Sequence, residues 1–187
     1  MDHGEISPLL KLAGWTYVAG TVPYLYRILT GKDRPSLSSW LVWLIVDAIS
    51  LAGMWQKNQL NGLIIAATSC SVFTVICAFW RGTWEWERID TICVALSGAG
   101  IVLWQILGDA TAAILICAVV NLIAAWPTVT RAWHEPAREN RFTWACYEAS
   151  CVLTLIGLAT WTIDSAAQPL SYTIVETVMV VLVFFRR

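Results

Sequence analysis

Charge is what this sequence has least of. Only 13 % of its 187 residues are charged, against about 25 % in an average soluble domain. A water-soluble core of this size needs a polar shell, and the chain does not carry one. Histidine is nearly absent: His3 stands near the start and His134 between apolar segments. That is too few for a zinc site borne on helices. The six cysteines include no C-x-x-C pair, so they read as small apolar residues rather than disulfides or ligands. A phosphate-cradling glycine loop, a nucleophile elbow and an intramembrane pair of catalytic aspartates are all missing. The expectation is therefore a protein that is not an enzyme and needs no cofactor or metal. The chain also begins MDHGE, acidic where a cleavable signal would be basic, and Lys11 interrupts the first apolar turns. The first segment is expected to stay in the mature protein.

What the sequence has instead is apolar length. Hydrophobic residues make up 58 % and mean hydropathy is +0.63. Seven segments have the roughly 20 mostly apolar residues that a bilayer demands: Pro8–Leu29, Leu37–Gln56, Leu60–Trp80, Ile89–Leu107, Ala110–Trp133, Phe142–Trp161 and Ser165–Phe185. The short loops between them leave no room for a soluble domain. Lys and Arg are distributed unevenly among those loops. Arg27, Lys32, Arg34, Arg81, Arg88, Arg131, Arg138, Arg141, Arg186 and Arg187 fall on one side, and Lys11 and Lys57 on the other. By the positive-inside rule the N-terminus is expected outside and the C-terminus in the cytoplasm, with a bacterial inner membrane as the location. The basic loops then read as topology signals touching anionic lipid, with no nucleic acid required.

The chain also repeats itself. At an offset of 104 residues, Pro23 falls on Pro127, Arg27 on Arg131, Arg34 on Arg138, Trp40 on Trp144, Leu51 on Leu155 and Gly53 on Gly157, with Trp43 on Tyr147. Apolar composition does not explain matches at Pro, Arg, Trp and Gly. The offset pairs the first segment with the fifth, the second with the sixth and the third with the seventh. The expected fold is an all-α membrane protein of seven transmembrane helices. It divides into a three-helix repeat (1–88), a linker helix (89–108) and a second three-helix repeat (109–187). An odd linker makes the triplets run parallel, related by an axis along the membrane normal. Repeats of this kind point to a transporter with its substrate near the midplane.

The run PYLYRILTGKDRPSLSSW carries a resemblance. Its Pro23, Arg27, Lys32, Leu37 and Ser38 stand at the spacings of the first signature of the PQ-loop superfamily. That superfamily includes the SWEET and SemiSWEET sugar transporters, and PYLYRI is similar to the Pro-x-x-Tyr-Arg-Ile of plant SWEETs. The second copy, PTVTRAWHEPARENRFTW, keeps Pro127 and Arg131. The resemblance implies the three-one-three architecture and alternating-access transport of a small polar solute. SWEETs associate an Asn from each third helix with sugar binding. Neither third segment here has a central Asn, so a sugar and a cationic or aromatic metabolite both stay open. The resemblance also leaves open a Pnu-type vitamin transporter and a non-transporting seven-helix receptor, which share related folds.

Polar residues inside apolar segments mark the candidate site. A carboxylate at a helix centre costs about 2.5–3.5 kcal/mol on insertion scales, so it faces a cavity or a partner. Asp47 and Glu176 are central in the second and seventh segments, and Glu148 lies nearer the cytoplasmic third of the sixth. Trp40, Trp43, Asp47 and Ser50 share one helical face. Trp144, Tyr147, Cys151 and Thr154 make the repeat-related face, with Glu148 beside it. The expected substrate-binding set is Trp43, Asp47, Ser69, Asn121, Trp144, Tyr147, Glu148, Tyr172 and Glu176. Asp47 and Glu176 either hold a cationic solute or take up a proton. Pro23 and Pro127, at matching positions, are the expected paired hinges. Trp15, Trp55, Trp80, Trp84, Trp86 and Trp161 fall at segment ends, where indoles sit among lipid headgroups. The expected partners are a small-molecule substrate and the lipid bilayer, with self-association into a homo-oligomer left open.

Overall fold

Most helices in this chain start where a short polar side chain takes up a free backbone N–H. Ser7 caps α1 (Pro8–Leu29), Ser36 caps α2 (Leu37–Gln56) and Asn61 caps α3 (Gly62–Arg81). Glu87 and Asp90 form a reciprocal box at the start of α4 (Arg88–Leu107), which ends on Gly108 in the left-handed conformation. Asp109 takes the N–H of Thr111, the first residue of α5 (Thr111–Ala124). After Ala125 comes α6 (Trp126–His134), then a 3-10 turn at Pro136–Arg138. Asn140 caps α7 (Arg141–Gly157), and Thr162 with Ser165 boxes the start of α8 (Ile163–Phe185). The computed structural model describes residues 6–186, with Arg138 given by its backbone alone. The expected outside N-terminus and the basic Arg187 lie outside the described residues.

The architecture is all-α, and no strand occurs among the described residues. Five helical spans are long and apolar enough to cross a membrane: Leu37–Gln56, Gly62–Arg81, Arg88–Leu107, Thr111–His134 and Ile163–Phe185. The sequence led us to expect seven. The other two, α1 and α7, are the polar ones. Lys11 and Arg27 lie in α1, while α7 has 17 residues and holds Arg141 and Glu148. Two boundaries also moved. The sixth segment ends at Gly157 rather than Trp161, because the backbone turns extended at Leu158. The fifth is broken at Ala125, two residues before Pro127, whose missing N–H cannot continue the ladder. Its repeat mate Pro23 sits inside an unbroken α1. The two prolines thus occupy matching positions in differently shaped helices.

Packing closes a ring. Helices in contact run α1, α3, α2, α5, α8, α7 and back to α1, while α4 lies outside against α5 and α2. The exterior is apolar: Trp15, Phe79, Trp80, Ile106 and Phe185 are all more than 70 % exposed. So much outward apolar surface suits hydrocarbon rather than water. The other segment-end indoles, Trp55, Trp84, Trp86 and Trp161, are exposed as well.

Among lipid tails, burying Leu against Leu gains little, so helices associate through close van der Waals fit and polar contacts. Glycine provides the fit at the α1–α3 crossing. A Cβ on Gly14 would stand 2.7 Å from the Gly62 carbonyl oxygen, and one on Gly62 would be driven into the Leu10 carbonyl. Both obstacles are backbone and cannot rotate away. Gly98, on α4, has nothing within 4 Å of its Cβ position. Gly62→Ala should therefore lower the melting temperature of the detergent-solubilised protein by several degrees or prevent folding. Gly98→Ala should be neutral or stabilise by about 0.5–1 kcal/mol through helix propensity. Equal melting curves for the two variants would remove the close crossing.

Candidate functional site

The ring's interior is crossed by hydrogen bonds to one carboxylate. Asp47 of α2 is 2 % exposed. It accepts from Ser71 Oγ of α3 at 2.7 Å and from the Tyr172 hydroxyl of α8. Helices α2 and α8 are not ring neighbours, so the second bond spans the interior. Both carboxylate oxygens are engaged, which is what allows the group to be buried among apolar helices.

Beside it, Tyr17 of α1 stacks on Tyr147 of α7, with ring centroids 4.2 Å apart and planes 14° from parallel. The Tyr147 hydroxyl pairs with Thr21 Oγ1 at 2.9 Å, and Trp144 meets Tyr147 edge-on at 5.9 Å. Such ring pairs contribute about 0.5–1.5 kcal/mol beyond the area they bury. These aromatics join Leu63, Ala66, Ala67, Cys70, Cys151 and Tyr172 in one buried cluster contributed by α1, α3, α7 and α8.

On α8, Gln168, Tyr172 and Glu176 recur every four residues and form one stripe. Gln168 is 1 % and Glu176 is 6 % exposed. Both amide atoms of Gln168 and Oε2 of Glu176 are buried without a hydrogen-bond partner. Asn121 of α5 donates to Ser171 Oγ at 3.3 Å and leaves its own Oδ1 unpaired. Unsatisfied buried polar atoms are uncommon in native folds, and each implies a missing donor or acceptor.

The structure thus brings together Asp47, Asn121, Trp144, Tyr147, Tyr172 and Glu176 on interior faces. Trp43 is half-buried at one end, packed against the buried cluster that includes Val175 and Met179. Two expected members turn outward. Ser69 is exposed and bonds its own backbone at Ile65 O, 2.8 Å away. Its helix turns Ser71 to the interior instead, two positions and about 200° further round. Glu148 is also outside the interior. It accepts from Thr177 at 2.9 Å and lines a groove of about 550 Å³ between α7 and α8 with Ala145, Ala149, Val152 and Phe184. One residue beyond Tyr147 on α7, it is rotated about 100° from the stack. The tryptophans of the repeat divide likewise. Trp40 and Trp144 are half-buried, and Trp126 and Trp133 are exposed.

Four interior residues lie outside the set expected from sequence: Tyr17, Thr21, Ser71 and Gln168. Two of them had a signal. Tyr17 is the offset mate of Asn121, so the Tyr17–Tyr147 pair occupies the positions equivalent to Asn121 and Trp43. Gln168 stands one and two helical turns before the selected Tyr172 and Glu176.

The two ends of the ring differ. At one, Lys57 Nζ bridges Asp109 Oδ1 at 2.8 Å and Asp164 Oδ2 at 3.4 Å, and the Thr111 hydroxyl stands between the two carboxylates, 2.8 Å from Asp109 Oδ1 and 2.6 Å from Asp164 Oδ1. The Lys57 ammonium and the Thr111 N–H hold the Asp109 carboxyl well below the usual carboxylate range. Asp109 in turn raises Lys57 above its ordinary value. This cluster joins the α2–α3 and α4–α5 connections to the first turn of α8. At the other end, Arg27 pairs with Asp33 at 2.6 Å and Arg131 with Glu139 at 3.5 Å. Tyr24 accepts from Trp40 Nε1, and Glu139 from Trp144 Nε1, each at 3.1 Å. Each of those contacts stays within one copy of the repeat.

No family model, curated protein or solved structure matches the chain.

Tyr172→Phe and Ser71→Ala each remove a donor from a buried carboxylate and should each destabilise by about 1–3 kcal/mol. Ser69→Ala should stay within about 0.5 kcal/mol, as exposed substitutions do. Unfolding of the three variants in detergent checks this. Equal stability of Tyr172→Phe and Ser69→Ala would mean that the bond across the ring contributes nothing.

Proposed function

We propose that this chain is an integral membrane transporter that moves a small polar solute by alternating access. In this reading it is SWEET-like, with two three-helix halves (1–88 and 109–187) joined by a linker helix (89–108) and seven crossings in all. The observation that carries the reading is the way the 104-residue offset acts on the ring. It takes the α1–α3 contact to the α5–α8 contact, and the α2–α3 contact to the α7–α8 contact. It exchanges α1–α7 with α5–α2 and leaves only α4 without a mate. Two equivalent triplets facing each other around a polar interior are what alternating access requires. The seven crossings include α1 and α7, whose Thr21, Tyr147 and Ser150 hydroxyls find partners along their shared face.

Several features fit a carrier caught closed. The Tyr17–Tyr147 stack and the Asp47–Tyr172 bond fill the interior between halves. The Lys57 cluster ties the first half to the second at one end, whereas Arg27–Asp33 and Arg131–Glu139 at the other end stay within a half. The freer mouth is thus at the Arg27 end, which the basic loops place in the cytoplasm. Pro23 and Pro127 act there as paired hinges, the break at Ala125 being the bent form of a helix whose mate is straight.

Reconstituted in liposomes, the protein should give counterflow of its solute, and Pro23→Ala with Pro127→Ala should slow it while the fold survives. Cysteine labelling of Lys57→Cys should succeed from outside the cell and that of Arg138→Cys should not. Saturable ligand binding with no counterflow in oriented liposomes would leave the non-transporting receptor as the reading. Reversed labelling would invert the mouths.

A further inference from the structure

The interior holds two carboxylates in opposite conditions. Asp47 has both oxygens engaged, whereas Glu176 keeps Oε2 buried and unpartnered. Two turns away on the same stripe, about 12 Å along the helix axis, the Gln168 amide has neither its donor nor its acceptor used. Between them stands the Tyr172 hydroxyl, which is committed to Asp47.

Among the described residues, no positive charge acts on Glu176. Tyr17 and Tyr24 of α1, Cys70 of α3, Tyr147, Glu148 and Cys151 of α7, Tyr172 of its own helix and Asp47 of α2 are the titratable groups within its electrostatic reach or that of its aromatic neighbours. The α5–α6 residues packed on this part of α8, Ala125, Val129 and Ala132, are apolar. A buried carboxylate in such a place is either protonated or paired with a cation from outside. A neutral polyol could occupy the amide but would leave the acid without a counter-charge. Tyrosine faces add attraction for a positive centre, and more so in a site without water. Separating the Tyr17–Tyr147 stack exposes two such faces next to Glu176.

We propose that this interior takes an organic cation lying along α8, its charged centre replacing the proton on Glu176 and a hydrogen-bonding group meeting the Gln168 amide. The inference rests on the transporter reading only for the ligand's way in and out. It divides the roles of the two acids. Asp47 holds α2, α3 and α8 together, and Glu176 receives the charge. Because cation and proton compete for one carboxylate, binding tightens as pH rises through the titration of Glu176. The displaced proton leaves to the solution.

The test uses the purified full chain in detergent, with ligand-dependent tryptophan fluorescence and thermal stabilisation as readouts. The probes are choline, tetramethylammonium, the uncharged choline isostere 3,3-dimethylbutan-1-ol, and glucose. Choline should bind at least tenfold more tightly than either uncharged compound. Glu176→Gln should lose at least tenfold of that affinity, and Glu176→Asp should retain part of it. Gln168→Leu should abolish choline's advantage over tetramethylammonium without weakening tetramethylammonium. Glu85→Gln, exposed in the α3–α4 connection, should leave choline binding within about twofold. Should Glu176→Gln fail to fold, the wild-type pH profile decides. Choline binding that weakens on acidification while the isostere's does not supports the proposal, and a flat choline profile overturns it. Uncharged compounds binding as well as choline, no choline binding, or choline affinity untouched by Glu176→Gln would each overturn it. Choline binding at Glu176 without counterflow would support the ligand class while removing transport. Glucose counterflow without choline binding would remove the ligand class and leave transport standing.

Discussion

A carboxylate enclosed by apolar helices must be given donors, and the arrangement of this protein's interior follows from how Asp47 receives them. Its two oxygens draw Ser71 from a neighbouring helix and Tyr172 from across the ring. Three helices are thereby held in register about one point. Lipid cannot supply this register, because tails compete equally well for every apolar face. What remains is the backbone contact at Gly14 and Gly62, the Tyr17–Tyr147 stack and a few polar bonds between helices. Ser150 Oγ, which donates to Ala13 O at 2.7 Å, is one of them and ties α7 to α1.

That tie explains why the two helices least suited to hydrocarbon are packed side by side. Gly20 lets α7 approach closely, since a Cβ there would meet Cys146 Cβ at 2.7 Å. Thr21, Tyr147 and Ser150 then find partners along the shared face. Polar groups that would be costly against lipid are turned on one another. Of the five long apolar spans, α4, which lies outside the ring, presents the most of itself outward.

The three acids at mid-helix have three environments. Asp47 is satisfied inside, Glu176 is unsatisfied inside, and Glu148 lies in an outward groove, one oxygen accepting from Thr177 and the other buried without a partner. A single chemical type thus serves as a clamp, an open acceptor and an edge group, and the difference lies wholly in which neighbours are brought within reach. The same holds for the hydroxyls of α3. Ser71 reaches the carboxylate, while Thr68, Ser69 and Thr74 bond back to their own helix.

Much of the fold was legible in the residues. Long apolar runs placed the helices to within a few residues, because apolar length is a local property. The exceptions were local too in cause, at Ala125–Pro127 and at Leu158. Central carboxylates and aromatic stripes pointed to Asp47, Tyr147, Tyr172 and Glu176, since charge at mid-helix is costly wherever the helix sits. Which face of a helix meets the interior was another matter. Ser69 and Ser71 are equally small and polar, Glu148 is one residue from Tyr147, and nothing in their identity says which points inward. Rotation about the helix axis is decided by the neighbour that packs closest, here through Gly14 against Gly62 and Gly20 against Cys146. Only the assembled ring therefore separates the acid whose oxygens are both taken from the one left with a free oxygen. Pairing between residues 125 positions apart is a property of the fold and of no segment within it.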